Sequence, residues 1–371
     1  MNIVISTLVT SSNVTGVGKY TFKLIEGLQK VNSEHEFYII VNQELEPYLK
    51  LHKRNFHKVV IPLPHHPRYL LRPIYFVWQN YIDKFLTKII IDVVHMPNPV
   101  PLFRKGEMKY VTTVHDVAEF SGKRHNTIRR WLRILATSSS VKISDKILTV
   151  SDFSRREIIK ATAIPEEAIN VSYLGAAIGE QDLNNSIFPN RRPFFLHVGG
   201  TGANKNINRI INAFHLSGLH TKADMYLVGD YHNRKYSSRD IAKFQKKGIH
   251  FTGYVPDKKL MSFYKQAITL VYPSLYEGFG LPILEAMSLG VPVITSNITS
   301  MPEVAGDAAL LVNPESEEEI AEAMQSILEN RELRDSLIKK GYKRASMFSW
   351  EETARKTILA YEKAYTSSQS R

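Results

Sequence analysis

The stretch AITLVYPSLYEGFGLPILEAMSLGVPVITS, residues 267–296, reads as strand, turn, helix and strand. The apolar run that ends at Pro273 is strand-like, and Leu281, Leu284, Met287 and Leu289 then recur at roughly helical spacing. Glu277, Gly278, Phe279 and Gly280 therefore fall where a strand turns into a helix. Pro282 suits a first helical turn, because the N–H it lacks would have no intrahelical partner there. A strand, a helix and a second strand in so short a span point to a parallel sheet wrapped by helices.

The turn also carries chemistry. Gly278 and Gly280 leave the backbone bare, so an anion can approach the N–H groups at the positive end of the helix. Glu285 is expected in the first turn of that helix, with Glu277 on the loop leading in. Two carboxylates placed so can accept hydrogen bonds from hydroxyls on either side of a bound diphosphate, which is the layout of a nucleotide-sugar. Gly and Pro also punctuate α/β loops with no ligand present, and a Glu near a helix start favours the dipole by itself.

Working outward, NIVIST, FYIIVN, KVVIPL, DVVHM, KYVTTVHD and KILTVS alternate with helical patterns near residues 18–31, 68–88, 126–142 and 152–162. A second set follows in FFLHVG, MYLVGD, GIHFTG, AITLVYP and VPVITS. Two α/β units in tandem are predicted, spanning 1–175 and 193–348, with a Gly-, Asn- and Pro-rich linker at 176–192. Acidic helices are expected over 316–330 and 332–345, with a last helix over 349–365. Ligands of such sheets bind at the carboxyl ends of the strands.

The chain has 371 residues, 43% hydrophobic and 23% charged, which suits two ordinary cores and excludes a low-complexity or fibrous protein. No run approaches the roughly 20 apolar residues needed to span a bilayer. MNIVISTLV reads as a buried first strand and not as a signal peptide, so a cytoplasmic location is expected. There is no cysteine, hence no disulfide or thiolate metal site. A net charge of +12 implies anionic partners. Eight Lys or Arg against three acids lie between Arg104 and Arg133. Within 123–135, Trp131, Leu132, Ile134 and Leu135 interleave with Arg129, Arg130 and Arg133. That pattern suits a helix on an anionic membrane surface, or an amphipathic helix whose apolar stripe packs on the sheet.

Three further sites stand at strand ends. TGVGKY, 15–20, places Gly16 and Gly18 between the first strand and a helix. It lacks a third glycine for a dinucleotide fingerprint and the residues of a P-loop. In TTVHD, His115 and Asp116 end a strand, where Asp116 either accepts the imidazole's other N–H or caps a turn. HVGGTGANKN opens the second unit with a glycine-rich turn and Lys205. Ser154 and Glu157 have capping-box spacing, Asp257 reads as an N-cap, and His95 reads as structural. No D-x-D and no His pair at metal-ligand spacing occurs.

PSLYEGFGLPILEAMSLGVPVITSN, followed by MPEVAGDAALLVNP, closely resembles the signature of retaining glycosyltransferases of family 4, with a Glu, seven residues and a second Glu. The resemblance extends from TGVGKY through VHD to FSWEE. It implies the GT-B fold, two Rossmann-like domains facing across a cleft, with the terminal helix crossing back onto the first domain. By that resemblance Glu277 and His115 meet the transferred sugar and are the expected catalytic residues. Glu285 holds the ribose, and Gly278, Phe279, Gly280 and Leu281 offer backbone N–H groups to hexose and diphosphate. Gly16, Gly18 and Asp116 line the donor site, and Lys205 neutralises the leaving diphosphate. Many members place an Arg just after the first glycine or just before the Lys. Here those positions are Gly200 and Asn204, so either Arg209 substitutes from the next helical turn or the phosphate site leans on backbone N–H groups.

The implied activity is transfer of a hexose, mannose or glucose-type, from GDP-mannose or a UDP-sugar to a glycan or lipid-linked hydroxyl in cell-surface polysaccharide or glycolipid synthesis, without metal or other cofactor and without nucleic acid. A peripheral position on the inner face of the membrane would follow from the basic helix. A nucleotide-sugar epimerase of the same fold and a basic nucleic-acid-binding protein are the other classes compatible with the chain.

Overall fold

The computed structural model describes residues 1–7, 16–61, 90–100, 108–120, 128–176, 192–200, 202–229 and 236–366. The chain forms two compact units, one made of Met1–Leu174 with Ser349–Arg371 and the other of Gly175–Phe348. The helical pattern near 68–88 lies outside the described residues, as does most of the 176–192 linker.

Among the described residues the first unit is a seven-stranded parallel sheet. Its strands are β1 (Asn2–Ser6), β2 (Glu36–Asn42), β3 (Phe56–Ile61), β4 (Val93–Met96), β5 (Lys109–Thr113), β6 (Lys146–Thr149) and β7 (Ile169–Val171). They lie in the order β3-β2-β1-β4-β5-β6-β7. Strands such as β4 are buried at every residue, as a sheet covered on both faces requires. Around it pack α1 (Gly16–Lys30), α2 (Ile128–Ile143) and α3 (Asp152–Thr162).

Among the described residues the second unit is a six-stranded parallel sheet of β8 (Phe194–Val198), β9 (Asp224–Val228), β10 (Ile249–Gly253), β11 (Thr269–Tyr272), β12 (Val293–Ser296) and β13 (Leu310–Val312), in the order β10-β9-β8-β11-β12-β13. Its helices are α4 (Ile207–Leu216), α5 (Ser238–Gln245), α6 (Asp257–Gln266), α7 (Leu281–Ser288), α8 (Met301–Ala305), α9 (Glu317–Glu329) and α10 (Arg331–Ala345). Its core joins Phe195, Phe214, Met225 and Leu227 to Ile294, Ile320 and Met324. In both sheets the strand order reverses beside the first strand, between β1 and β4 and between β8 and β11. Loops diverge at such a point and leave a crevice at the carboxyl ends of the strands.

The last helix, α11 (Trp350–Thr366), belongs to the first unit. Thr353 Oγ1 donates to the Tyr173 carbonyl at 2.6 Å, and the Tyr361 hydroxyl lies 2.7 Å from His95 Nδ1. At Gly27 a Cβ would run into the Trp350 carbonyl oxygen, so α1 and α11 approach closely only because that residue is glycine.

Several local expectations are corrected. Gly16 and Gly18 lie in the first turn of α1, not in a loop ahead of it. The cap of α3 is Ser151, whose hydroxyl accepts from Ser154 N, so the capping residue stands three positions before the predicted one. Pro256 caps α6, and Asp257 is its first helical residue. Glu285 is the fifth residue of α7, past the first turn. In α2, Thr137, Ser140 and Val141 are buried and Leu132 and Ile134 half-buried, while Ile128, Trp131 and Leu135 are exposed, so the buried face is not the whole apolar stripe. The strands β7 and β13 escape the sequence reading, since three residues are too few for periodicity to register.

Candidate functional site

In the second unit the loops after β8 and β11, the two strands flanking the switch point, are tied together. Lys205 Nζ lies 2.7 Å from Glu277 Oε1 and donates at 2.7 Å to the Tyr272 hydroxyl. Asn204 Nδ2 donates to the same Glu277 Oε1 at 3.1 Å and to the Tyr276 carbonyl at 3.0 Å, and Leu275 N donates to the Asn204 carbonyl at 2.8 Å. Two donors therefore converge on one carboxylate oxygen. Glu277 Oε2 has no protein partner among the described residues and can accept from a ligand hydroxyl. Burial alone would lower the Lys205 pKa, but the Tyr272 hydroxyl and the Glu277 carboxylate outweigh it and hold the ammonium above the ordinary lysine value.

Gly280 stands at φ 101°, a region closed to most side chains, and turns the chain into α7. The Ser300 hydroxyl lies 2.9 Å from the Glu277 carbonyl oxygen and 3.1 Å from that of Phe279, bracing the loop from the start of α8. The Phe279 ring is buried and packs edge-on against Phe348, 6.1 Å between centroids. Leu281 and Pro282 open α7. Glu285 is 3% exposed and accepts at 2.8 Å from the Tyr264 hydroxyl of α6. Arg209 reaches back one turn to Asn206 Oδ1 at 3.1 Å, while Asn206 Nδ2 holds the Pro273 and Pro314 carbonyls.

His197, in β8, lies beneath this loop, fully buried. Its Nδ1 donates to the Val271 carbonyl at 2.8 Å, its ring stacks on Tyr272, and burial pushes its pKa down to about 4. Neither it nor Tyr264 and Tyr272 stood out in the sequence, and Asn204 did so only as the position of the missing Arg. The run of conventional strand residues around His197 and Tyr272 carries no signal that their polar atoms meet a loop.

In the first unit His115 follows β5. Its Nε2 lies 2.9 Å from the carbonyl oxygen of Pro97, which follows β4, so Nε2 carries the proton and Nδ1 presents its lone pair. Burial lowers the His115 pKa, against the Pro97 carbonyl and Asp116, which raise it. Ser154 Oγ donates to the His115 carbonyl at 3.0 Å, fixing the loop to the start of α3. Asp116 Oδ1 accepts from Ala118 N at 3.0 Å, the turn-capping arrangement, while Pro97 takes the imidazole proton. Tyr20, on α1 two residues after Gly18, packs edge-on against the His115 ring at 4.6 Å. Neutral imidazole with a fixed tautomer is suited to accept a hydrogen bond from a sugar hydroxyl.

Residues 14–178 match the family model for Glycosyltransferase Family 4, and residues 180–344 match that for Glycosyl transferases group 1. The O-antigen chain mannosyltransferase B of Escherichia coli is 34% identical over 275 residues, covering 68% of this chain and 70% of that protein. Among solved structures, sucrose-phosphate synthase from Thermosynechococcus elongatus superposes with a TM-score of 0.78 at 18% identity, over 99% of this chain and 100% of that one. Anabaena Alr3699/HepE, in complex with UDP-glucose, gives a TM-score of 0.70 at 15% identity over 100% of both chains. The architecture they share with this chain, two parallel-sheet α/β units, is the GT-B fold.

Proposed function

Since this chain belongs to glycosyltransferase family 4, we propose that it moves a hexose, mannose first among the candidates, from a nucleotide-sugar to a hydroxyl of a glycan or lipid-linked acceptor. The observation that carries this reading is the junction of Lys205, Asn204 and Glu277 at the switch point of the second sheet, beside the start of α7. A cation, a helix N-terminus and a carboxylate with one oxygen left open suit a diphosphate joined to a polyol. The mannosyl assignment and the role in cell-surface polysaccharide synthesis draw on the name of the E. coli relative.

In this reading Glu277 Oε2 and His115 Nδ1 accept hydrogen bonds from hexose hydroxyls. Glu285, steadied by Tyr264, takes the ribose hydroxyls, and Gly278, Phe279, Gly280 and Leu281 contribute backbone N–H groups. Gly16 and Gly18, at the start of α1, are assigned to the donor, as is Asp116, which caps the turn after His115. Lys205 stabilises the charge that develops on the leaving diphosphate, as a fixed cation does in an oxyanion-hole arrangement, and Arg209 is a second cation one turn into α4. The anomeric configuration is retained, with the leaving phosphate taking the acceptor proton on the same face of the sugar. Lys205 and the helix start supply the positive charge, so the reaction proceeds without a divalent metal.

A thermal-shift panel of GDP-mannose, UDP-glucose and other nucleotide-sugars tests the donor. A ligand at 100 times its dissociation constant adds roughly 2.7 kcal/mol of stability, so the donor stands out clearly. No shift with any of them overturns the donor reading. Product anomers read by NMR decide retention, and turnover in excess EDTA decides metal independence.

The exposed apolar stripe of α2, with Arg133 exposed alongside, supports a contact with anionic lipid. Among the described residues no helix is long and apolar enough to cross a membrane. A surface contact would place the chain beside a lipid-linked acceptor.

A further inference from the structure

His95 is fully buried in the first unit, and both of its ring nitrogens meet hydroxyls. Nδ1 lies 2.7 Å from the Tyr361 hydroxyl of α11, and Nε2 lies 2.8 Å from Thr113 Oγ1 at the end of β5. The same Thr113 oxygen lies 2.9 Å from the Tyr20 hydroxyl of α1. Tyr20 in turn packs edge-on against His115, and its ring centroid lies 6.2 Å from that of Trp350. One continuous line of contacts thus runs from the C-terminal helix, through the sheet, to the imidazole assigned to the sugar.

The polar members of this line have little freedom. All four are at most 2% exposed, so none can exchange its partner for solvent. A neutral imidazole donates at one nitrogen and accepts at the other. Tyr361 and Thr113 therefore cannot both donate to it: one hydroxyl gives its proton to the ring, and the other receives the ring's proton. Removing either hydroxyl leaves a buried nitrogen unpaired; loss of the Tyr361 hydroxyl loosens His95 against Thr113, and loss of the Thr113 hydroxyl takes away the partner of Tyr20.

We propose that the C-terminal helix is a positioning element for His115, with Tyr361 acting through His95 and Thr113 on Tyr20, whose ring sets the plane of the His115 imidazole. The inference rests on the assignment of His115 to the transferred sugar. It makes activity depend on the docking of α11, a segment remote in sequence from every loop of the site. His115 Nε2 is anchored at the Pro97 carbonyl, and Tyr20, packed edge-on against the ring, opposes its rotation about Cβ–Cγ.

Tyr361→Phe removes one oxygen, and Thr113→Val removes the bridging hydroxyl at nearly constant volume. Each is expected to lower kcat with GDP-mannose about tenfold, since small displacements of a reacting group are costly, while calorimetric affinity for GDP stays at the wild-type value. The loss should vanish when either change is made in a His115→Ala background, because residues acting through one another are not additive. The 15N resonances of the His115 ring should move in Tyr361→Phe. Wild-type kcat in both single variants, or an undiminished loss in the His115→Ala background, would overturn the inference. Wild-type turnover in His115→Ala itself would instead overturn the sugar assignment. The relay would then be judged on the His115 resonances, and unmoved resonances would reject it. Should Tyr361→Phe fail to fold, Thr113→Val carries the same test.

Discussion

Lys205 and Glu277 stand 2.7 Å apart at the carboxyl ends of neighbouring strands, and their side chains are only 21% and 15% exposed. Partial burial shields the pair from salt, and removal of one partner would leave the other charge uncompensated. Asn204 adds a neutral donor to the same oxygen, which orients the carboxylate.

Lys205→Met is therefore expected to lose about 1–3 kcal/mol of stability, because it leaves a partly buried carboxylate with a single neutral donor. Adding Glu277→Gln to that variant should restore most of the stability and none of the turnover. Urea denaturation of the three proteins decides. A single variant as stable as wild type would reduce the pair to a rim contact.

Glu285 and Tyr264 should separate by degree. Burial first, and then the neighbouring Glu285, hold the Tyr264 phenol far above its usual pKa, so it remains a donor at every working pH. Tyr264→Phe is expected to weaken nucleotide binding by about 1 kcal/mol, roughly fivefold in Kd, and Glu285→Ala by about 1–3 kcal/mol. Calorimetry with free GDP and UDP measures both. Unchanged affinity in Glu285→Ala would remove it from the ribose site.

Stability should fall on the acid side for a definite reason. Burial, with His115 nearby, pushes His95 down to about 3, and burial pushes His197 down to about 4. Both are neutral in the folded chain, whereas unfolded histidine titrates near 6.5. Below that pH the unfolded chain binds the protons first, so the stabilisation is complete above about 6.5 and is lost as pH falls toward 4. Each histidine costs about 1.4 kcal/mol per pH unit within that window. Melting temperature measured from pH 7.5 to 4.5 should drop, and more gently in His197→Asn. A flat profile in the wild type contradicts the burial of these rings.

The lipid contact of α2 can be decided by flotation. Trp131 is 60% exposed and Ile128 78%, yet Arg130 is tethered through Nε to the Glu119 carbonyl at 2.7 Å. Arg133 and the apolar stripe should therefore matter more than Arg130. Wild type is expected to float with anionic vesicles at low salt, and Trp131→Ser with Arg133→Glu to remain behind, since each cation near such a surface is worth about 1 kcal/mol. Equal behaviour of the two proteins would leave α2 an ordinary surface helix and the acceptor free of the membrane.

The sequence by itself determined the two α/β units and the strand-to-helix turns at Gly280 and Lys205. Buried parallel strands and amphipathic helices write their periods directly into the chain, and a positive φ or a proline in a first helical turn narrows the residue choice at one position. It also determined the family, through the spacing of Glu277 and Glu285. Tertiary structure alone decided which polar groups meet. Asn204 and Glu277 are 73 residues apart in sequence, and His95 and Tyr361 are 266 apart. Their partnership depends on strand order, which brings β8 beside β11, and on the return of α11 to the first unit. A local pattern reports the face a residue turns to its own element. A hydrogen bond between distant elements depends on where both backbones finish, and only the folded chain holds that information.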